Sequence, residues 1–141
     1  MRVADLRPEH FDRSAVPGLD DRVGERDPPW RAGDMRARWE GYLDPNTGIL
    51  LNLVGAQSSP ELRRCEDDFV EWRALELRDA PVPQTFDLAH LQELHRRLFQ
   101  DVYPWAGECR TVDMGKGAGP GFLPYGQVPE LMIHVSLVLR D

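Results

Sequence analysis

The chain has 141 residues, of which 41% are hydrophobic and 29% charged, and a formal net charge of −7. This length and balance predict one globular domain, while the acidity disfavours a dedicated nucleic-acid binder, which normally carries a basic stripe. No apolar run approaches the roughly 18 residues of a membrane span and the N-terminus lacks the apolar core of a secretory signal, so we expect a cytoplasmic protein with no nucleic-acid or membrane partner.

Residues 1–40 are predicted to form an N-terminal arm. They are rich in Arg, Asp, Pro and Gly, and their few apolar residues follow no period. The run 27–31 contains two prolines and interrupts regular structure. We therefore predict an irregular arm with one short helix over residues 34–41, followed by a single domain over residues 41–141.

A long amphipathic helix is predicted from residue 60 to about residue 79. A turn-forming run over 44–48 and an apolar run over 49–54 precede it. Ser58 is suited to cap the helix, Pro60 to its first turn, and Glu61 completes a capping-box pattern. Apolar residues then recur at three- and four-residue spacing, which indicates one buried helix face: Leu62, Cys65, Phe69, Trp72 and Leu75.

A second amphipathic helix is predicted from Asp87 to about Asp101. Prolines within residues 80–83 end the first helix, and Asp87 is a suitable N-cap. The apolar face of the second helix is formed by Leu88, Leu91, Leu94, His95 and Leu98.

The segment from about 109 to 124 is predicted to be a small β-hairpin between helices. Residues 103–107 cannot continue a helix, and residues 110–114 alternate like a short strand. The glycine-rich run 115–121 turns the chain, and residues 122–123 return beside the first strand. This turn contains Lys116, the chain's single lysine.

The last apolar stretch, residues 131–139, follows Pro129 and is predicted to be a helix. Its content of leucine and β-branched residues leaves a strand as the alternative.

Several short motifs superficially suggest chemistry, but their spacing excludes it. His90 and His95 are five residues apart, so they point in divergent directions, whereas two zinc ligands on one helix face are four apart. The run 115–117 lacks the order of a phosphate-binding loop. Cys65 and Cys109 have no metal spacing, and we expect both to be small, partly buried residues. We therefore assign no catalytic residue and no metal ligand in this chain.

The order of these elements resembles the Fic family of protein-modifying enzymes. The resemblance extends over roughly residues 41–132. It is carried by the runs 42–52 (YLDPNTGILLN), 60–73, 86–99 and 103–113 (YPWAGECRTVD), followed by Lys116 and Phe122.

The resemblance implies a mainly α-helical bundle, here incomplete, with a short β-hairpin flap (about residues 109–124) between helices. It also implies transfer of AMP from ATP to a hydroxyl side chain of a target protein, although relatives such as the Doc branch transfer other phosphate-containing groups. In the family, the flap pairs with the target's backbone as an added strand. The residues of this chain that match the flap are Arg110, Thr111, Val112, Asp113, Met114, Gly115 and Lys116.

The chain departs from the family pattern at the catalytic loop. That loop reads His-Pro-Phe, an acid, then Gly-Asn-Gly-Arg, and it supplies the general base, a magnesium ligand and the phosphate-binding groups. The 141 residues contain no such run, and His134, followed by Val135, is no substitute. ATP and Mg²⁺ are therefore implied for an intact domain, whereas we expect this chain alone to be inactive, as a natural truncation or a frameshift would produce.

Two further hypotheses remain beside a bacterial, toxin-like or regulatory adenylyltransferase. The chain is alternatively a non-enzymatic module that binds a peptide, an antitoxin or a partner Fic chain through its flap edge. Under the other hypothesis, the chain is a degenerate remnant of marginal stability with exposed apolar helix faces. No stretch matches the family's inhibitory helix motif, so we do not expect the chain to be the antitoxin itself.

Overall fold

The structure is a computed structural model that describes residues 27–115 and 118–140. Predictions that concern residues 1–26 or Lys116 lie outside the described residues. The described part contains four α-helices: α1 (Met35–Gly41), α2 (Ser59–Asp79), α3 (Leu88–Phe99) and α4 (Val128–Arg140). A short 3₁₀ helix, Tyr125–Gln127, leads directly into α4.

The helices begin where the sequence places capping residues. The Asp34 carboxylate accepts a hydrogen bond from the Ala37 N–H at 2.8 Å, and Asp87 accepts one from the His90 N–H at 3.0 Å. Ser58 Oγ accepts from the Glu61 N–H at 3.4 Å. Because the first helical N–H groups have no partner within the helix, these bonds fix the start of each helix. The predicted helices over 34–41, 60–79 and 87–101 are confirmed to within two residues at each end.

The core lies where α2 meets the segments before it and after α3. Five buried residues form it: Ala56, Leu62, Phe69, Trp72 and Val102. Val102 is fully buried, and its carbonyl accepts the Leu53 N–H at 2.7 Å. The apolar run 49–54 therefore packs as irregular chain against α2, with only an antiparallel bridge between Leu43 and Leu50.

Helix α4 packs against α3, and the helical alternative for this stretch is the correct one. Ser136 is its single buried residue, while Arg140 at its C-terminal end donates a hydrogen bond to the Thr85 carbonyl at 3.1 Å. Many of its apolar residues are exposed, including Val138 at 76%. A helix that is apolar around most of its circumference is typical of an element covered by other parts of a protein.

The predicted β-hairpin over 109–124 is wrong as a strand pair, since the described residues contain no strand. A single backbone hydrogen bond, from the Phe122 N–H to the Met114 carbonyl at 3.0 Å, joins its two sides. The Val112 and Leu123 carbonyls instead accept from the Arg110 side chain. Because those carbonyls bond a guanidinium and the glycine-rich tip offers few side chains to pack, a ladder does not form.

Candidate functional site

An aromatic series leads from the core to the segment that the sequence singled out. The Tyr103 ring stacks on Trp105 with centroids 5.2 Å apart, and Trp105 meets the edge of Tyr42 at 4.9 Å. The Tyr103 hydroxyl donates to the Glu66 carboxylate on α2. Burial, together with this bond, raises the pKa of Tyr103 above its ordinary value. These contacts therefore fix the positions of Tyr103 and Trp105, where the chain leaves the core.

Gly107 turns this segment against α3. Its φ of 86° lies in the left-handed region that favours glycine. A Cβ at this position would lie 2.7 Å from Arg96 Cβ. The Gly107 N–H donates to His95 Nδ1 at 2.9 Å, and burial lowers the pKa of His95. His95 thus lies at the edge of the core, where it orients the backbone of Gly107 a few residues before the exposed residues that begin at 113.

The first three predicted flap residues face the protein. Arg110 donates from Nη1 to the Val112 carbonyl at 2.7 Å and from Nη2 to the Leu123 carbonyl. The Thr111 N–H donates to the Tyr42 hydroxyl at 3.1 Å. Val112 is buried. The Thr111 N–H and the Val112 carbonyl are thus bonded within the chain, and these contacts support the base of the segment that follows.

The following described residues, 113–115 and 118–122, are all exposed. We call them the exposed loop. Met114 and Phe122 present apolar surface to solvent, with 42% and 56% of their surface exposed. Asp113 and Met114 are thus brought together with Gly115 on a projecting segment, while Lys116 lies outside the described residues.

Sequence reasoning missed the residues of the N-terminal segment that contact this region. Trp30 Nε1 donates to a Glu108 carboxylate oxygen at 2.7 Å, and Arg31 pairs with the other oxygen. Arg38 donates from Nη2 to the Tyr125 hydroxyl at 3.3 Å, with its guanidinium over the ring. The large aromatic side chain of Trp30, next to two prolines, was the signal that could have indicated packing.

The described residues contain no group of three His, Cys, Asp or Glu side chains that could hold a metal ion. Cys65 and Cys109 are unpaired and half-buried, as predicted. Within 27–115 and 118–140, no helix is both long and apolar enough to cross a bilayer.

Comparison with known proteins relates this arrangement to one family, although no protein-family model matches the chain. Protein adenylyltransferase VbhT of Bartonella schoenbuchensis is 43% identical over 75 residues, which cover 53% of this chain and 16% of that protein. The probable protein adenylyltransferase Fic of Escherichia coli K12 is 32% identical over 79 residues, 56% of this chain and 38% of that protein. The matches thus span well under half the length of these curated relatives.

A solved structure gives the same result. The BepC protein of Bartonella tribocorum, with bound AMPPNP, superposes with a TM-score of 0.64 at 25% identity. The superposition covers 72% of this chain and 55% of that one. This likeness concerns the helical fold of the superposed region. The matched region of the chain is thus similar to proteins named as protein adenylyltransferases, including the probable adenylyltransferase Fic.

Proposed function

We propose that this chain is the target-binding portion of a protein adenylyltransferase, an enzyme that transfers AMP from ATP to a hydroxyl side chain of another protein. The single observation that carries this proposal is the exposed loop, which is held at its base by contacts of Arg110 and Thr111. Support for the reaction class comes from the curated relatives, which are named protein adenylyltransferases.

The exposed loop would bind the target through its backbone. An extended peptide that adds to an exposed backbone edge gains register from main-chain hydrogen bonds without requiring one particular sequence. Met114 and Phe122 flank the described part of the loop and would contact the target's side chains. The target hydroxyl would then be presented in a fixed position, which is the contribution of orientation to catalysis.

We expect the 141-residue chain alone to transfer no AMP, because its sequence lacks a His-Pro-Phe run and hence the general base of the family. The general base and the groups that bind ATP and Mg²⁺ would be supplied by the family's catalytic loop, which this sequence does not contain.

A fusion tests this function directly. The chain is joined to the portion of E. coli Fic that follows its matched region, and labelled ATP, magnesium and lysate are added. We expect ATP-dependent labelling of protein by the fusion and none by the chain alone. In the fusion, Met114→Pro removes a backbone N–H and should abolish labelling, whereas Met114→Ala keeps the backbone and should preserve most of it. Robust labelling by the chain alone would refute its inactivity.

A non-enzymatic binding role is the second candidate, favoured by the exposed apolar side chains of Met114 and Phe122. Under this role, the chain alone captures a protein that Met114→Pro releases and Met114→Ala retains. Capture that neither change affects would show that the exposed loop is not the contact surface.

A further inference from the structure

Two short runs that lie side by side connect the exposed loop to the rest of the chain. We call them the neck: residues 110–113 on one side and 122–125 on the other. The Phe122 N–H donates to the Met114 carbonyl at 3.0 Å, and the Tyr125 N–H donates to the Asp113 carboxylate at 2.8 Å. Only the first of these bonds is between backbone groups, so a ladder of strands does not hold the neck closed.

Arg110 supplies the missing connection between the two sides. Its guanidinium donates to Val112 on one side and to Leu123 on the other, and 21% of its side chain is exposed. Arginine presents several N–H donors in a rigid fork, so that one side chain can hold two carbonyls at once. Hydrogen bonds from a charged donor are also roughly twice as strong as those between neutral groups.

The N-terminal segment holds each side of the neck separately. On the first side, the Thr111 hydroxyl donates to the Trp30 carbonyl, and the Tyr42 hydroxyl accepts from the Thr111 N–H. On the second side, Arg38 donates to the Tyr125 hydroxyl. The segment over residues 30–42 therefore contacts both sides of the neck. Its Trp30 also bonds Glu108, which lies just before the neck.

We propose that Arg110 is a positioning residue that closes the neck and thereby fixes the backbone edge of the exposed loop for its protein target. The positioning of the loop for a protein target rests on the proposed function, whereas closure of the neck by Arg110 does not. A loop that is ordered before binding loses less conformational entropy when the target binds.

Hydrogen exchange of the 141-residue chain tests closure of the neck. Arg110→Met keeps the apolar stem of the side chain and removes its donors. We expect the Phe122 and Tyr125 amides to exchange about tenfold faster, because two charge-assisted bonds are lost. Amides of α2 should be unchanged. Arg110→Lys, which can hold only one carbonyl well, should give an intermediate rate. Arg36→Met removes an exposed arginine and is the matched control.

If Arg110→Met does not fold, the intermediate exchange rate expected of Arg110→Lys tests closure by Arg110, and a second pair of variants tests the contact of Thr111 with the N-terminal segment. Thr111→Val preserves shape but removes the hydroxyl, and it should speed exchange on the 110–113 side, whereas Thr111→Ser should restore the wild-type rate. Unchanged neck exchange in the folded Arg110 variants would overturn closure by Arg110, whatever Thr111→Val does.

The positioning role is tested in the fusion with E. coli Fic. Arg110→Met should lower protein labelling at least about tenfold while ATP binding is unchanged, since ordering acts on the protein target. Equal labelling by the variant and wild-type fusions would overturn the positioning role. A wild-type fusion that labels nothing while the neck amides still respond would instead contradict the proposed function.

Discussion

Arg73 on α2 forms a two-pronged ion pair with Asp101, which follows α3. Its Nε and Nη2 donate to the two carboxylate oxygens at 2.6 and 2.9 Å, and the side chains are 15% and 5% exposed. The bond to Asp101 raises the pKa of Arg73. The guanidinium also lies 4.1 Å from the centroid of the Trp72 ring. The pair therefore fixes the chain next to Val102 in the core.

Loss of this pair is expected to be strongly destabilising. Asp101→Asn leaves the largely buried Arg73 guanidinium with only the more exposed Glu76 as a charged partner, and breaking a buried pair in this way costs about 3–5 kcal/mol. Chemical denaturation followed by circular dichroism measures the change. Glu76 contacts the same arginine but is 36% exposed, so Glu76→Gln should cost less than about 1 kcal/mol. Equal effects of the two changes would contradict the dominance of Asp101.

Gly107→Ala is expected to destabilise the folded chain more than the same substitution does at a left-handed glycine with open space around it. Alanine at φ 86° is strained by about 1–2 kcal/mol, and its Cβ would also collide with Arg96. Gly48, with φ 72° and open space around it, is the matched control. Thermal unfolding should therefore show a larger loss for Gly107→Ala than for Gly48→Ala. A smaller loss would mean that the Arg96 side chain yields without cost.

Stability is expected to fall on acidification because of His95. Burial lowers its pKa in the folded chain below the ordinary value of 6.5, so the unfolded chain binds the proton more readily. The contribution to stability is therefore present above pH 6.5 and is lost as pH falls towards the folded-state pKa. Protonation also prevents Nδ1 from accepting the Gly107 N–H.

Denaturation midpoints between pH 7.5 and pH 5 measure this effect. His95→Gln keeps an acceptor near Gly107 but does not titrate, and it should flatten the dependence. An equally steep fall in His95→Gln would assign the effect to other groups.

Self-association through α4 is expected for the isolated 141-residue chain. Leu137 and Val138 are 58% and 76% exposed, beside further exposed apolar residues of the same helix. Replacing both by glutamine should weaken association by more than about tenfold, because each buried apolar side chain contributes roughly 1.5–3 kcal/mol. Sedimentation velocity at several concentrations measures this, with Glu130→Gln as control. A wild-type chain that melts as a monomer independently of concentration would refute it.

The helices were predictable because their signals are local. Ser58 and Asp87 specify where α2 and α3 begin, and the apolar spacing that includes Phe69 and Trp72 specifies which face of α2 is buried. No residue of α3 is buried, and Leu91 of its predicted apolar face is 51% exposed. The family resemblance was likewise carried by short runs such as 103–113, and the comparisons confirm it.

Only the tertiary structure decided which contacts hold the exposed loop. An alternating run at 110–114 is compatible with a strand, but a strand also needs a partner, and Arg110 bonds the carbonyls that a partner would use. The contacts of Trp30 and Arg38 with this region join residues that are 78 and 87 positions apart. Sequence periodicity reports neighbours within a few residues, so contacts across most of the chain are fixed only when the helices pack.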